Sequence, residues 1–257
     1  MEPQRVLAVG DVHGCLEELK ELLALVEYRP GHDRLVFLGD LIDRGPESLG
    51  VVRLVRQELK AECVKGNHDE KAPRWHRHLA NEKLTGKPNP MKRPDAKRIA
   101  EWESFSEDDL KWLDELPWLV DLVPSAGWVG VHAGFEPALW RHEQKGDRMC
   151  RVRYADSRGR MAPTKYVGHV PDGAVPWTTW SGEWLAPTCV VYGHAVHDTK
   201  FPRIDKLGDH GMFYGIDTGC CFGGVLTCWS WKPPGVVETF SVPAKAKYAD
   251  LALAGAE

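Results

Sequence analysis

Leu35-Val36-Phe37-Leu38 runs into Gly39-Asp40-Leu41-Ile42-Asp43-Arg44-Gly45, and this stretch decides how the rest of the chain is read. Four apolar residues closed by a glycine predict a buried strand, with two carboxylates and an arginine on the loop that leaves it. Open α/β sheets place their ligands beyond the carboxyl ends of their strands, so Asp40 is expected at the lip of a sheet.

The same pattern occurs on either side. Val6-Leu7-Ala8-Val9 leads into Gly10-Asp11-Val12-His13-Gly14, and Cys63-Val64-Lys65 leads into Gly66-Asn67-His68-Asp69. Asp11 and Asp40 lie 29 positions apart and Asp40 and Asn67 lie 27 apart, each interval fitting one strand–helix–strand unit of about 30 residues. Between them, Leu16, Leu19, Leu22, Leu23 and Val26, then Leu49, Val52, Val55 and Leu59, recur at helical spacing. Right-handed crossovers then deliver all three loops to one edge of a parallel sheet. Two later strands end alike, Trp128-Val129-Gly130-Val131 in His132-Ala133-Gly134 and Cys189-Val190-Val191-Tyr192 in Gly193-His194. Met212 to Ile216 runs into Asp217-Thr218-Gly219, and Val225 to Trp231 and Val236 to Val242 alternate like antiparallel strands joined across Pro233-Pro234. The expected fold class is α/β with mixed sheets packed around the site.

Carboxylate, imidazole and amide oxygen suit hard or borderline divalent cations. Ligand counting assigns Asp11, His13 and Asp40 to one ion, and Asp40, Asn67, His132 and His194 to a second, with Asp40 bridging. Two such ions lower the pKa of a shared water and present hydroxide to a phosphorus atom. Arg44 supplies a planar fork for phosphate oxygens. His68, one position past Asn67, is expected to face the leaving oxygen as general acid, with Asp43 fixing its tautomer and keeping it protonated. Single aspartates before turns are usually helix caps, but caps do not explain His13, Asn67, His132 and His194 behind strand-like runs. His169, in Val167-Gly168-His169, competes with His194, which is preferred for its longer preceding apolar run. His76, His78, His197 and His210 read as solvated or locally hydrogen-bonded.

A chain of 257 residues with 43% hydrophobic and 27% charged residues suits one α/β domain over 1–257. A net charge of −4 gives no global sign of nucleic-acid or membrane binding. No signal segment or spanning apolar run is evident, and seven cysteines without framework spacing favour a reduced cytoplasm. Cys220-Cys221 has the wrong geometry for a tetrahedral zinc clip. Two segments, about 73–98 and 141–188, read as basic lids or inserts. Residues 83–98 hold six basic side chains against one acidic, and 141–160 seven against three, a candidate cradle for several phosphates. Ser106 and Asp109 predict a capping box opening the helix between them. Trp177, Trp180 and Trp184 are spaced as a packing stripe rather than an adenine-stacking platform.

Gly-Asp-x-His-Gly, Gly-Asp-x-x-Asp-Arg-Gly, Gly-Asn-His-Asp, His-Ala-Gly and a late Gly-His occur here in order between Gly10 and His194. These stretches resemble the metallophosphoesterases of the phosphoprotein phosphatase family. The resemblance implies a calcineurin-like sandwich of two mixed β-sheets flanked by helices and a dinuclear centre most similar to Mn²⁺ sites, with Co²⁺, Ni²⁺, Fe or Zn as alternatives. Tyr192-Gly193-His194, Gly215 to Gly224 and Arg151-Val152-Arg153-Tyr154 further resemble the bacterial symmetric diadenosine tetraphosphatases. That branch implies cleavage of diadenosine tetraphosphate into two ADP, with Arg151 and Arg153 toward substrate phosphate. Asp43 departs from some members of the branch, which carry a small residue there, and makes the second motif similar to protein phosphatases. A Ser/Thr or broad phosphomonoester phosphatase is therefore the alternative, with a phosphoprotein or capped RNA as further substrates.

Overall fold

The computed structural model describes residues 5–164, 168–209 and 211–251. Its first half is β1 (Arg5–Val9), α1 (Leu16–Leu25), β2 (Asp33–Phe37), α2 (Ser48–Arg53) and β3 (Glu62–Cys63), with a π-helical turn extending α2 over Leu54–Glu58. β1, β2 and β3 are adjacent and parallel. The three loops quoted above accordingly leave the same edge.

Then come α3 (Lys71–Thr85), α4 (Ala96–Glu103), α5 (Glu107–Glu115), β4 (Leu119–Val123), β5 (Trp128–Val131) and the short α6 (Gly146–Met149). β6 (Tyr154–Ala155), β7 (Met161–Ala162) and β8 (Val175–Pro176) make a small separate sheet. β9 (Cys189–Tyr192), β10 (Arg203–Leu207), β11 (Gly211–Gly215), β12 (Val225–Lys232) and β13 (Val236–Pro243) complete the chain. The main layers are two five-stranded mixed sheets, ordered β13-β12-β1-β2-β3 and β10-β11-β9-β5-β4.

Strand alternation assigns each side chain to a layer. Val6, Ala8, Val36, Leu38, Val64, Val191, Ile216 and Trp229 form the buried seam between the sheets. Leu7, Val9, Leu35 and Phe37 point the other way, against Leu16, Leu19 and Leu22 of α1. Each fully buried side chain of this size contributes about 1.5–3 kcal/mol, so the seam and the helical layer hold the strand ends in place. Trp177 and Trp180 pack with Phe135, Tyr192 and Phe213 on the outer face of the second sheet, so the tryptophan stripe is core.

One expectation needs correction. Residues 71–85 form a helix rather than a loop or lid. Its polar composition hides the period, but Ala72, Trp75 and Leu79 fall on one face, Pro73 sits in the first turn where its missing N–H is tolerated, and Gly86 closes it in the left-handed conformation. The insert from 141, as far as it is described, is seated on the second sheet through its tryptophans. The capping box at Ser106 and Asp109 forms as expected. His210 and Val167 lie outside the described residues. Among the described residues, no helix is long and apolar enough to cross a membrane.

Candidate dinuclear metal centre

The loops after β1, β2, β3, β5 and β9 converge. Asp40 stands at the middle, its Oδ2 3.4 Å from His13 Nε2 and its Oδ1 3.4 Å from His132 Nε2. His13 Nε2 is also 4.0 Å from Asp11 Oδ2, and His132 Nε2 is 3.0 Å from Asn67 Oδ1. The His132 and His194 rings meet edge-on with centroids 5.1 Å apart. Asp40, His132 and His194 form one group with ligand atoms within 4.8 Å, and His13, Asp40 and His68 form another. The structure thus brings His194, not His169, to Asp40.

Both central histidines are oriented from behind. His13 Nδ1 donates to the Ile42 carbonyl at 2.8 Å and His132 Nδ1 donates to the Leu38 carbonyl at 2.8 Å. A carbonyl only accepts, so each Nε2 presents a lone pair toward a carboxylate. Lone pairs and buried carboxylates facing one another are a cation's donor set. The Arg44 guanidinium stands against the same lone pair, its Nη1 2.5 Å from His13 Nε2. Burial, then Asp217 and Asp40, push the Asp11 carboxyl up. Burial also lowers His13 to about 3, and lowers His132 and His194. Burial opposes ionisation of Asp40 too, but His132, His13 and Arg44 hold its carboxyl below the ordinary range. Neutral imidazoles around an ionised central carboxylate are the protonation states a divalent metal requires.

The backbone is strained at the same place. Seven described non-glycine residues have positive φ, and His13, Asp40, Asp43, Arg44 and His194 are five of them. Each such conformation costs on the order of 1–3 kcal/mol and persists only where surrounding bonds over-determine it. Asp69 supplies several: its carboxylate accepts from Asp40 N at 2.7 Å, Leu41 N at 2.9 Å and Gly66 N at 2.9 Å. Gly66 and Gly193 permit the close approach, because a Cβ would lie 2.1 Å from Asp40 Oδ1 in the first case and 2.0 Å from Asp11 Oδ1 in the second.

Beside this cluster, His68 Nδ1 and Asp43 Oδ2 are 2.5 Å apart. The other Asp43 oxygen accepts from Trp102 Nε1 at 2.8 Å, and Arg98 Nε stands 3.5 Å from Asp43. The expectation that Asp43 keeps the imidazole charged is corrected by burial, which raises the Asp43 carboxyl to about 7 and lowers His68 well below its ordinary value. These directions favour a neutral imidazole that accepts from Asp43 at Nδ1. The hydrogen of a neutral His68 is then on Nε2, so the pair still has a proton to donate.

The basic segments behave differently from a uniform cradle. Arg141 pairs with Asp121, Arg148 and Arg160 with Glu136, and Arg158 with Asp156. Arg151 pairs with Glu70 at 2.5 Å. Arg153 instead lies close enough to Asp217, Asp11 and Arg44 for their charges to act on it, and burial lowers its pKa. Arg44 also stacks over Phe222, 5.1 Å from the ring centre.

Asp69, Trp102 and Asp217 went unassigned in the sequence. Asp217, behind the Met212–Ile216 run, repeats the strand-then-carboxylate pattern and was legible there. Trp102 carried no local signal. Cys15, Glu18 and Cys220 also come together, but Glu18 Oε1 already accepts from Lys245 N and Tyr248 OH. His76 Nε2 bonds the Trp102 carbonyl at 3.0 Å, and His197 meets Arg203 at 3.1 Å.

Residues 4–198 match the calcineurin-like phosphoesterase family. The symmetrical bis(5'-nucleosyl)-tetraphosphatase of Pectobacterium atrosepticum is 30% identical, over 87% of this chain and 90% of that one. The protein of the same name from Cronobacter sakazakii is 29% identical, over 91% and 93%. A crystal structure provisionally described as a diadenosine tetraphosphatase superposes with a TM-score of 0.71 at 30% identity, over 95% of each chain. With the family match spanning most of its length and a divalent-metal donor set at the edge of two mixed sheets, the chain belongs to the calcineurin-like phosphoesterases and is a metal-dependent phosphoester or anhydride hydrolase.

Proposed function

We propose that this chain hydrolyses diadenosine tetraphosphate symmetrically, releasing two ADP, at a centre of two divalent ions of the Mn²⁺ type. The observation that carries the two-ion reading is Asp40, whose two carboxylate oxygens face different histidines at equal 3.4 Å distances. Asp11, His13 and Asp40 would hold one ion, and Asp40, Asn67, His132 and His194 the other. When bound, such ions supply Lewis acidity and bring the pKa of water toward neutrality. Arg44 and Arg153 would bind and orient phosphate oxygens, a geometric rather than covalent contribution. Arg151, tied to Glu70, serves as the outer member of that group. His68 would hold its Nε2 proton for the leaving oxygen. The substrate is supported by the two tetraphosphatase relatives, each aligned over most of both chains. We place the protein in the cytoplasm, where its seven free thiols stay reduced, and read its length as one catalytic unit with inserts.

The 2.5 Å His68–Asp43 contact favours a second reading, hydrolysis of phosphomonoesters such as phosphoserine. An alkoxide leaving group needs a proton far more than a phosphate does. Purified protein supplied with Mn²⁺ and offered diadenosine tetraphosphate, para-nitrophenyl phosphate and a phosphopeptide separates the two. ADP as sole nucleotide product supports symmetric cleavage, ATP plus AMP rejects it, and a strong phosphopeptide preference promotes the second reading.

A further inference from the structure

Arg98, Glu101 and Trp102 stand at positions i, i+3 and i+4 of α4, so the helix carries them on one face. All three reach Asp43, which lies 59 positions before Trp102. Trp102 Nε1 donates to Asp43 Oδ1 at 2.8 Å, Arg98 Nε stands 3.5 Å from Oδ2, and the Asp43 backbone N–H donates to Glu101 Oε1 at 2.9 Å. The same N–H lies 3.0 Å from Ser48 Oγ, and these two acceptors help hold Asp43 at its left-handed φ of 70°. Trp102 is held in turn. It is 1% exposed, its ring packs on Trp75 of α3 with centres 6.1 Å apart, and its carbonyl oxygen meets His76 Nε2 at 3.0 Å. Asp95 caps the start of α4 by accepting from Arg98 N at 2.9 Å.

An indole N–H donates and never accepts, so the Asp43 oxygen that faces it can only accept. A proton on this carboxyl is thereby excluded from Oδ1 and sits on Oδ2, in the 2.5 Å contact with His68 Nδ1. When His68 Nε2 gives its proton to a leaving oxygen, Nδ1 can take this one, which leaves a neutral imidazole and an Asp43 carboxylate. Arg98 stands near the same Oδ2, and a carboxylate free to turn would be able to trade His68 for that guanidinium. The Trp102 bond on the side chain and the Glu101 bond on the backbone both oppose the turn.

We propose that α4 selects the leaving group: Trp102 and Glu101 are positioning residues that keep the Asp43 proton on the oxygen facing His68, and so fit this centre to phosphomonoesters with a strongly basic leaving oxygen. This rests on the reading of His68 as general acid, and the test separates the two. Wild type, Asp43→Asn, Trp102→Phe and Glu101→Ala are supplied with Mn²⁺ and compared on two esters. Phenyl phosphate leaves as an oxygen about as basic as tyrosinate, with a pKa of about 10, whereas 2,4-dinitrophenyl phosphate has a leaving group that departs without a proton. Phenylalanine keeps an apolar ring against Trp75 and removes the donor, and half-buried Glu101 supplies a variant outside the tryptophan packing. The readout is the ratio of kcat/KM for phenyl phosphate to that for the dinitrophenyl ester, which a packing defect lowering both together does not move. Trp102→Phe should lower it about 5- to 10-fold, the scale of one hydrogen bond, and Glu101→Ala about 2- to 5-fold because Ser48 still accepts, both at unchanged manganese content. Adding Trp102→Phe to Asp43→Asn should lower the ratio no further. A ratio unchanged in both α4 variants while Asp43→Asn collapses it refutes the role of α4 alone, as does a ratio that falls only with metal content or falls further in the double variant. An Asp43→Asn ratio equal to that of wild type refutes the acid reading and takes the proposal with it.

Discussion

The rim of the two sheets and the basic segments around it are built on opposite terms. On the rim, Asp40, His13 and His132 are almost wholly buried, and every polar atom named there faces another. In residues 141–160, arginines extend over half-exposed surface and are spent on carboxylates of the same protein, as Arg141 is on Asp121. The rim is where a charge has few alternatives. In the segments, counting charges overstated the field, because pairing decides how much reaches the site; Arg153, Arg98 and, despite its pairing with Glu70, Arg151 are members whose charge does.

On that contrast, the largest loss comes from the rim's centre. Asp40→Asn should abolish hydrolysis of every substrate and lower metal content at both positions, whereas Asp11→Asn should chiefly affect one. Elemental analysis after gel filtration checks this, and full two-ion occupancy in inactive Asp40→Asn protein would remove Asp40 from the bridge.

Asp43 tests the boundary between rim and segments. Asp43→Asn should cost on the order of 10²–10⁴-fold on a phosphoserine peptide, the span of general acid catalysis, but less than about tenfold on diadenosine tetraphosphate. Since the Asp43 carboxyl is raised to about 7, the pair loses its proton as pH climbs through that value. Wild-type monoester hydrolysis should therefore fall above pH 7 relative to anhydride hydrolysis. Equal losses on both substrates at unchanged metal content would make Asp43 a positioning residue for all chemistry.

Within the basic segments, Arg153→Ala should lower kcat/KM for the polyphosphate by about 10–100-fold, a charge-assisted contact being worth about 1.5–3 kcal/mol. Arg141→Ala should change it less than about twofold, since exposed ion pairs contribute roughly 0–1 kcal/mol. Comparable losses in the two variants would restore the cradle as a diffuse field.

A last test concerns glycine. Gly193→Ala sets a methyl against Asp11 and should weaken metal binding more than it lowers Tm, a difference that metal titration beside thermal melting reads out directly. A Tm drop with unchanged affinity would mean the neighbouring loop yields first.

Much of the rim was legible because its signal is local. An apolar run ending in Gly-Asp or Gly-His states both the strand and the residue at its tip. The β-α-β-α-β order followed from the spacing of those tips. Helix α3 was missed because its apolar face is narrow and its composition polar. Trp102 was missed because its role exists only through Asp43, 59 positions away. The fates of the arginines were hidden for the same reason, Arg141 meeting Asp121 and Arg151 meeting Glu70 only once the chain is folded. The left-handed backbone at Arg44 leaves no mark in residue type, whereas Asp and His, which fill the other four strained rim positions, adopt it more readily than most residues.

Asp11 accepts a hydrogen bond from the His194 backbone across 183 positions of chain. Contacts closing loops this long are entropically late in folding, and proteins rich in them fold slowly. A nascent chain therefore holds four of its five rim loops, with Asp11, Asp40, Asn67 and His132 already translated, while His194 is still missing. The donor set can therefore close only after the greater part of the chain has been made.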